Sequence, residues 1–95
     1  MQVNYTTDAF ASLTGLINFI EANNTAGAGL RWLQRYEEFL QKAFTNAKRI
    51  RLCHNATFKK LNLKCINYND WVIAFSINEK FILIEALLHK SRITD

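Results

Sequence analysis

At 95 residues the chain is expected to form one domain spanning residues 1–95 with a single modest core, because domains typically hold about 100–150 residues. Its content of 49% apolar and 13% aromatic residues argues against disorder, and no apolar run approaches the roughly 18 residues of a membrane span, so no membrane contact is expected. The net charge of +4 is unevenly spread: residues 39–69 hold seven basic side chains and no acid, residues 1–38 come to −2 and residues 70–95 to −1.

Gln2–Tyr5 reads as a short strand, and Thr6, Thr7 and Asp8 are good helix N-cap types. The first ten residues contain neither a basic nor an apolar signal region, so the expected location is the cytoplasm. Phe10, Leu13, Leu16, Ile17 and Ile20 recur at helical spacing and predict an amphipathic helix to about Ala22. Asn23-Asn24-Thr25-Ala26-Gly27-Ala28-Gly29 predicts a helix–helix turn, since glycine permits positive φ and asparagine tolerates it. No GxGxxG or Walker spacing accompanies those glycines, so a phosphate cradle is not indicated.

In the second helix Arg31, Gln34, Arg35, Glu38, Gln41, Lys42 and Thr45 trace one polar stripe. Leu30, Trp32, Leu33, Tyr36, Phe39, Leu40, Ala43 and Phe44 fill the rest of the cylinder, an arc wide enough to pack on both the first helix and a sheet. Trp32 and Tyr36 are expected to be core anchors. From Ile50 the period changes to two, and Phe58–Cys65 predicts a strand with Leu61, Leu63 and Cys65 opposite Lys60, Asn62 and Lys64. Asn67-Tyr68-Asn69-Asp70 predicts a turn, and Trp71–Ile77 and Phe81–His89 predict two apolar strands joined by Asn78-Glu79-Lys80. The order β-α-α-β-β-β implies an α+β domain, a helical hairpin on one face of a mainly antiparallel sheet.

On that plan the uncovered sheet face collects the polar half of each strand. Lys60 and Lys64 lie there, and alternation from Phe81 puts Glu85 and His89 on the same side, with Arg92 following in the tail. Lysines and an arginine can neutralise a phosphate whose charge grows in the transition state. An imidazole can move protons near neutral pH, although a strand-end histidine bonded to backbone is an equally ordinary role for His89. Glu85 is a weaker candidate, since it could simply pair with a lysine. The basic block, with Lys48, Arg49, Arg51, Lys59, Lys60 and Lys64, and Lys90 beyond it, suits a nucleic-acid face or a merely solvated one. Cys53, His54 and Cys65 match no zinc spacing, so no metal and no other cofactor is expected. Both cysteines are expected as reduced, buried small hydrophobes.

The closing segment, Trp71-Val72-Ile73-Ala74-Phe75-Ser76-Ile77, Asn78-Glu79-Lys80, Phe81–Leu88 and then His89-Lys90-Ser91-Arg92, resembles that of the RelE/ParE superfamily. These are toxins of bacterial type II toxin–antitoxin pairs, and the order of elements resembles theirs over nearly the whole chain. The resemblance implies one fold with two activities. RelE-like members cleave mRNA in the ribosomal A site without metal, by attack of a 2′-hydroxyl on the neighbouring phosphate. ParE-like members poison DNA gyrase, and both kinds are silenced by an antitoxin.

Lys60, Lys64, His89 and Arg92 fall where the ribonuclease branch places phosphate-binding and proton-transferring side chains. Two positions depart from that branch: Val72 stands where it often has arginine, and Ile93-Thr94-Asp95 where it often has an aromatic acid or base. The leading expectation is a toxin arresting growth by ribosome-dependent mRNA cleavage, with its cognate antitoxin, the ribosome and mRNA as partners. The alternatives are a ParE-like, non-catalytic inhibitor of DNA gyrase, or a non-toxic relative that binds only an antitoxin or nucleic acid.

Overall fold

The Thr6 backbone is extended, and its hydroxyl accepts the Ala9 amide hydrogen at 3.1 Å. This cap separates β1 (Gln2–Tyr5) from α1 (Thr7–Ala22) in a computed structural model that describes residues 2–93; Thr94 and Asp95, noted above as a departure, lie outside the described residues. The chain reverses through Gly27, at φ +84, into α2 (Ala28–Ala43). Glu21 stitches the two helices: its carboxylate accepts the amide hydrogens of Gly27 at 2.8 Å and Gly29 at 2.9 Å. Those two bonds, Gly27's first, hold the Glu21 carboxyl below its ordinary pKa, and they satisfy N-terminal amides that the helix itself cannot.

Gly29 marks the closest approach of the helices. A Cβ there would stand 2.8 Å from the Ile17 carbonyl oxygen and 3.3 Å from the Glu21 Cβ, so backbone would have to move. Gly29→Ala is therefore expected to cost about 1–3 kcal/mol, as overpacked sites do. Urea denaturation measures this; unchanged stability would mean that the helix pair is not packed there.

After α2 comes a short 3₁₀ segment, Phe44–Arg49, kinked at Asn46. The strand expected over Phe58–Cys65 is replaced by two elements. Asn55 caps a five-residue helix, α3 (Ala56–Lys60), its side-chain oxygen accepting the Phe58 amide hydrogen at 3.0 Å. Asn62, at φ +59, then turns the chain into β2 (Lys64–Tyr68). The hairpin turn is tighter than expected, with Tyr68 already paired to Trp71 and Asn69 at φ +54. β3 (Trp71–Ile77) and β4 (Phe81–His89) lie where the sequence places them, followed by a 3₁₀ turn, Lys90–Arg92.

The sheet order is β1-β4-β3-β2, with β1 parallel to β4 and the other neighbours antiparallel. This is the expected α+β arrangement. α1 and α2 cover one face, burying Leu13, Tyr36, Leu40 and Phe44 against Ile73, Phe75, Ile82, Ile84 and Leu87. Tyr36 is fully buried, stacked on Trp32 at 5.1 Å and edge-on to Tyr68 at 5.9 Å, so both aromatics are the anchors the sequence suggests. Phe10 is an exception in α1, being 55% exposed.

The opposite face carries a smaller cluster of Cys53, Leu63 and Ala74, flanked by Phe58, Cys65 and Ala86. Here the expectation of free thiols fails, because Cys53 and Cys65 form a disulfide with Cα atoms 4.8 Å apart. The cause is a short antiparallel return alongside β2. Leu52 bridges to Lys64, the Cys53 amide donates to the Leu63 carbonyl at 2.9 Å, and the Cys65 amide donates to that of Arg51 at 3.3 Å. Among the described residues no helix is long and apolar enough to cross a membrane.

Candidate functional site

The expected site needed Lys60, Lys64, Glu85 and His89 on one face, and a bulge in β4 prevents it. Ala74 pairs with Ala86 but Phe75 pairs with Ile84, which leaves Glu85 as the extra residue. Side chains on either side of a bulge change phase relative to strict alternation. Ile82 and Ile84 therefore face the helices, and so does Leu87, two positions from His89. His89 pairs with Trp71 and sits on the helix side of the sheet, beside α1.

Lys64 is on the helix side as well, since it pairs with Phe75, whose ring lies in the main core. Its ammonium donates to the Lys48 carbonyl at 3.1 Å and to the Ile50 carbonyl. It thereby ties down the end of the 3₁₀ segment, where helix carbonyls lack partners. Lys60 is exposed at the end of α3, on the opposite face of the sheet. Strict period-two reasoning assigned these residues to one surface; α3 and the bulge divide them among three places.

His89 and Arg92 do come to one groove. They line this groove of about 790 Å³ with Gly15, Leu16 and Phe19 of α1 and with Trp71. The His89 ring stands edge-on to Trp71 at 5.3 Å. Its Nδ1 accepts the Ser91 amide hydrogen at 3.2 Å and lies 2.8 Å from the Ser91 hydroxyl. An Nδ1 that accepts an amide hydrogen carries no proton, so the neutral ring holds its hydrogen on Nε2. This is the backbone-bonded role weighed for a strand-end histidine.

Among the described residues no carboxylate and no lysine lines the groove. Phe19, 65% exposed, gives it an apolar wall. Sequence periodicity did not single out that residue, since it falls between the buried positions of α1.

Beside the groove Lys90 is fixed to Asp70 twice, by an ion pair at 3.0 Å and by its amide donating to the Asp70 carbonyl at 2.8 Å. The Lys90 ammonium holds the Asp70 carboxyl below its ordinary pKa. Of the expected nucleic-acid-binding set, Lys64 and Lys90 are thus engaged within the fold. Lys48, Arg49, Arg51, Lys59 and Lys60 are exposed on the 3₁₀ segment, the return strand and α3.

No family model matches the chain, and no curated protein matches it. Among solved structures, a chain of the chromosomal ParDE TA system from P. aeruginosa is similar, with a TM-score of 0.72 at 15% sequence identity. The match covers 94% of this chain and 95% of that one. The likeness is one of fold, and it extends over nearly every element described above.

Proposed function

We propose that this chain is the toxin of a type II toxin–antitoxin pair and that it arrests growth by docking on its target, as ParE-like toxins do on DNA gyrase. The observation that carries this reading is the dispersal of the residues an RNA-cutting site would need. Lys64 is bonded to two backbone carbonyls, Lys60 lies across the sheet, and His89 and Arg92 share a groove that holds no second acid or base among the described residues. The fold likeness to a chain of a ParDE TA system supports a place in a toxin–antitoxin pair. Exposed Lys48, Arg49, Arg51, Lys59 and Lys60 offer a cationic surface for an acidic face of the target, and such complementarity speeds and orients docking. The partners are then a cognate antitoxin and gyrase, and the place of action is the cytoplasm.

Two assays on one preparation test this. The purified chain is expected to block supercoiling by gyrase, and its induction alone to arrest growth with DNA-damage signalling and no new mRNA 5′ ends. His89→Ala is expected to keep the arrest. Normal supercoiling together with fresh cuts inside translated codons would overturn the proposal, and normal growth would leave a binding-only relative. The ribonuclease reading is favoured by one observation, the shared groove of His89 and Arg92; on that reading His89→Ala abolishes both the cuts and the arrest.

A further inference from the structure

Between Cys53 and Cys65 the disulfide is the covalent tie that closes the loop against the sheet. The loop's pairing alongside β2 is the single Leu52–Lys64 bridge, made by two backbone hydrogen bonds, Cys53 N–H to the Leu63 carbonyl and Cys65 N–H to the Arg51 carbonyl. Cys53, Leu63 and Ala74 are the buried members of the cluster beneath it. Phe58 and Leu63 pack in that cluster, whereas Leu52 and Leu61 are 42% and 63% exposed. The segment carries Arg51, His54, Lys59 and Lys60, all exposed.

The two sulfurs are unequal. Cys53 is 2% exposed, whereas Cys65 is half-buried and lines a cleft of about 480 Å³ with Arg51, His54, Asn67 and Phe58. An arginine at such a cleft favours an approaching thiolate over a thiol. Disulfide exchange proceeds by thiolate attack on one accessible sulfur, with the other leaving. The cleft therefore selects Cys65 as the sulfur attacked.

We propose that Cys53–Cys65 is a thiol–disulfide exchange site for a dithiol reductant, and that its reduction releases the basic segment 51–63 from the sheet. One reductant thiolate bonds to the Cys65 sulfur; the Cys53–Cys65 bond breaks, and the Cys53 sulfur leaves with the electron pair and takes a proton from water. The reductant's second thiolate then attacks its own sulfur in the mixed disulfide and expels the Cys65 thiolate, which is protonated in turn. The protein gains two electrons and two protons, and the dithiol becomes a disulfide. In compartments that keep thiols reduced, the disulfides that do occur are characteristically transient or redox-sensing. This site and its effect on the segment are independent of what the chain docks on.

Hydrogen exchange on the full chain, oxidised and after dithiothreitol with thiols counted, tests the coupling. A cross-link closing a loop of this length holds local opening down by roughly 100-fold, so reduction is expected to speed exchange at the Cys53, Leu63 and Cys65 amides by about that factor. The Ile73 and Ile84 amides, in the main core, are expected to stay protected. Unchanged exchange in a chain shown to be reduced would overturn the proposal, as would an equal rise at Ile73 and Ile84 or a disulfide that resists dithiothreitol. The direction of attack is tested with Cys53→Ser and Cys65→Ser, each leaving one thiol. Cys65 is expected to react with a small aromatic disulfide at least ~10-fold faster than Cys53, because accessible thiolates react first; the reverse order would overturn the assignment of Cys65.

Discussion

Tyr36→Ala is expected to cost about 3–5 kcal/mol, the range for removing a large buried aromatic, out of the ~5–15 kcal/mol that holds a typical domain. The ring is fully buried and is the hub on which Trp32 stacks and Tyr68 leans. Its hydroxyl also lies 3.1 Å from that of Tyr5, so the truncation leaves a part-buried hydroxyl on β1 without its partner. At ~4–8 °C per kcal/mol for a chain of this size, Tm should fall by at least ~12 °C. Tyr36→Phe keeps the ring and removes only the hydrogen bond, and about 1–2 kcal/mol is expected. An alanine variant melting within a few degrees of the parent would show that α2 is not seated on the sheet through this residue.

The same pair sets the alkaline limit of the fold. Burial raises the pKa of both hydroxyls, and the neighbouring Tyr5 adds to the rise at Tyr36. A group whose pKa is raised on folding lends its full stability below the unfolded value, near ~10 for tyrosine. Above that pH the unfolded chain releases protons that the folded chain retains, and stability falls by up to ~1.4 kcal/mol per pH unit for each such group. Tyrosinate absorbance and near-ultraviolet circular dichroism should therefore change together above pH ~10, and less steeply in Tyr36→Phe.

Elements with a long, uninterrupted period were legible from sequence. The stripe of α2 and the apolar runs of β3 and β4 are set by burial on a cylinder or a pleat, and each repeats its signal several times. The short elements were not legible. Lys59, Lys60, Leu61, Asn62, Leu63 and Lys64 alternate like a strand, but the chain there is a five-residue helix and a turn. What decides it is the Asn55 cap and the positive φ of Asn62, single residues whose signal a period count averages away.

The facing of the candidate residues was illegible for a related reason. One extra residue at Glu85 reverses the facing of His89, and nothing within β4 marks it. The bulge is fixed by which pairs the core accepts, Phe75 with Ile84 and Ala74 with Ala86. The disulfide was hidden because a separation of 12 residues says nothing about distance until the chain is known to turn back along β2.

Lys64 separates the two functional readings more sharply than any other single position. Its ammonium serves the Lys48 and Ile50 carbonyls, and charged hydrogen bonds of this kind are worth about 1.5–3 kcal/mol. Lys64→Met retains the aliphatic stem and abandons both carbonyls, so urea denaturation should show a loss of about 1–3 kcal/mol, part of it recovered by water. If the lysine only braces the fold, growth arrest per folded molecule should persist at a temperature where the variant is folded. If it instead holds a phosphate during cleavage, arrest disappears while the denaturation midpoint stays where it was. These outcomes are opposite in both readouts, because a lysine that gives two of its three N–H bonds to backbone carbonyls is held in place by the fold and not aimed at a substrate.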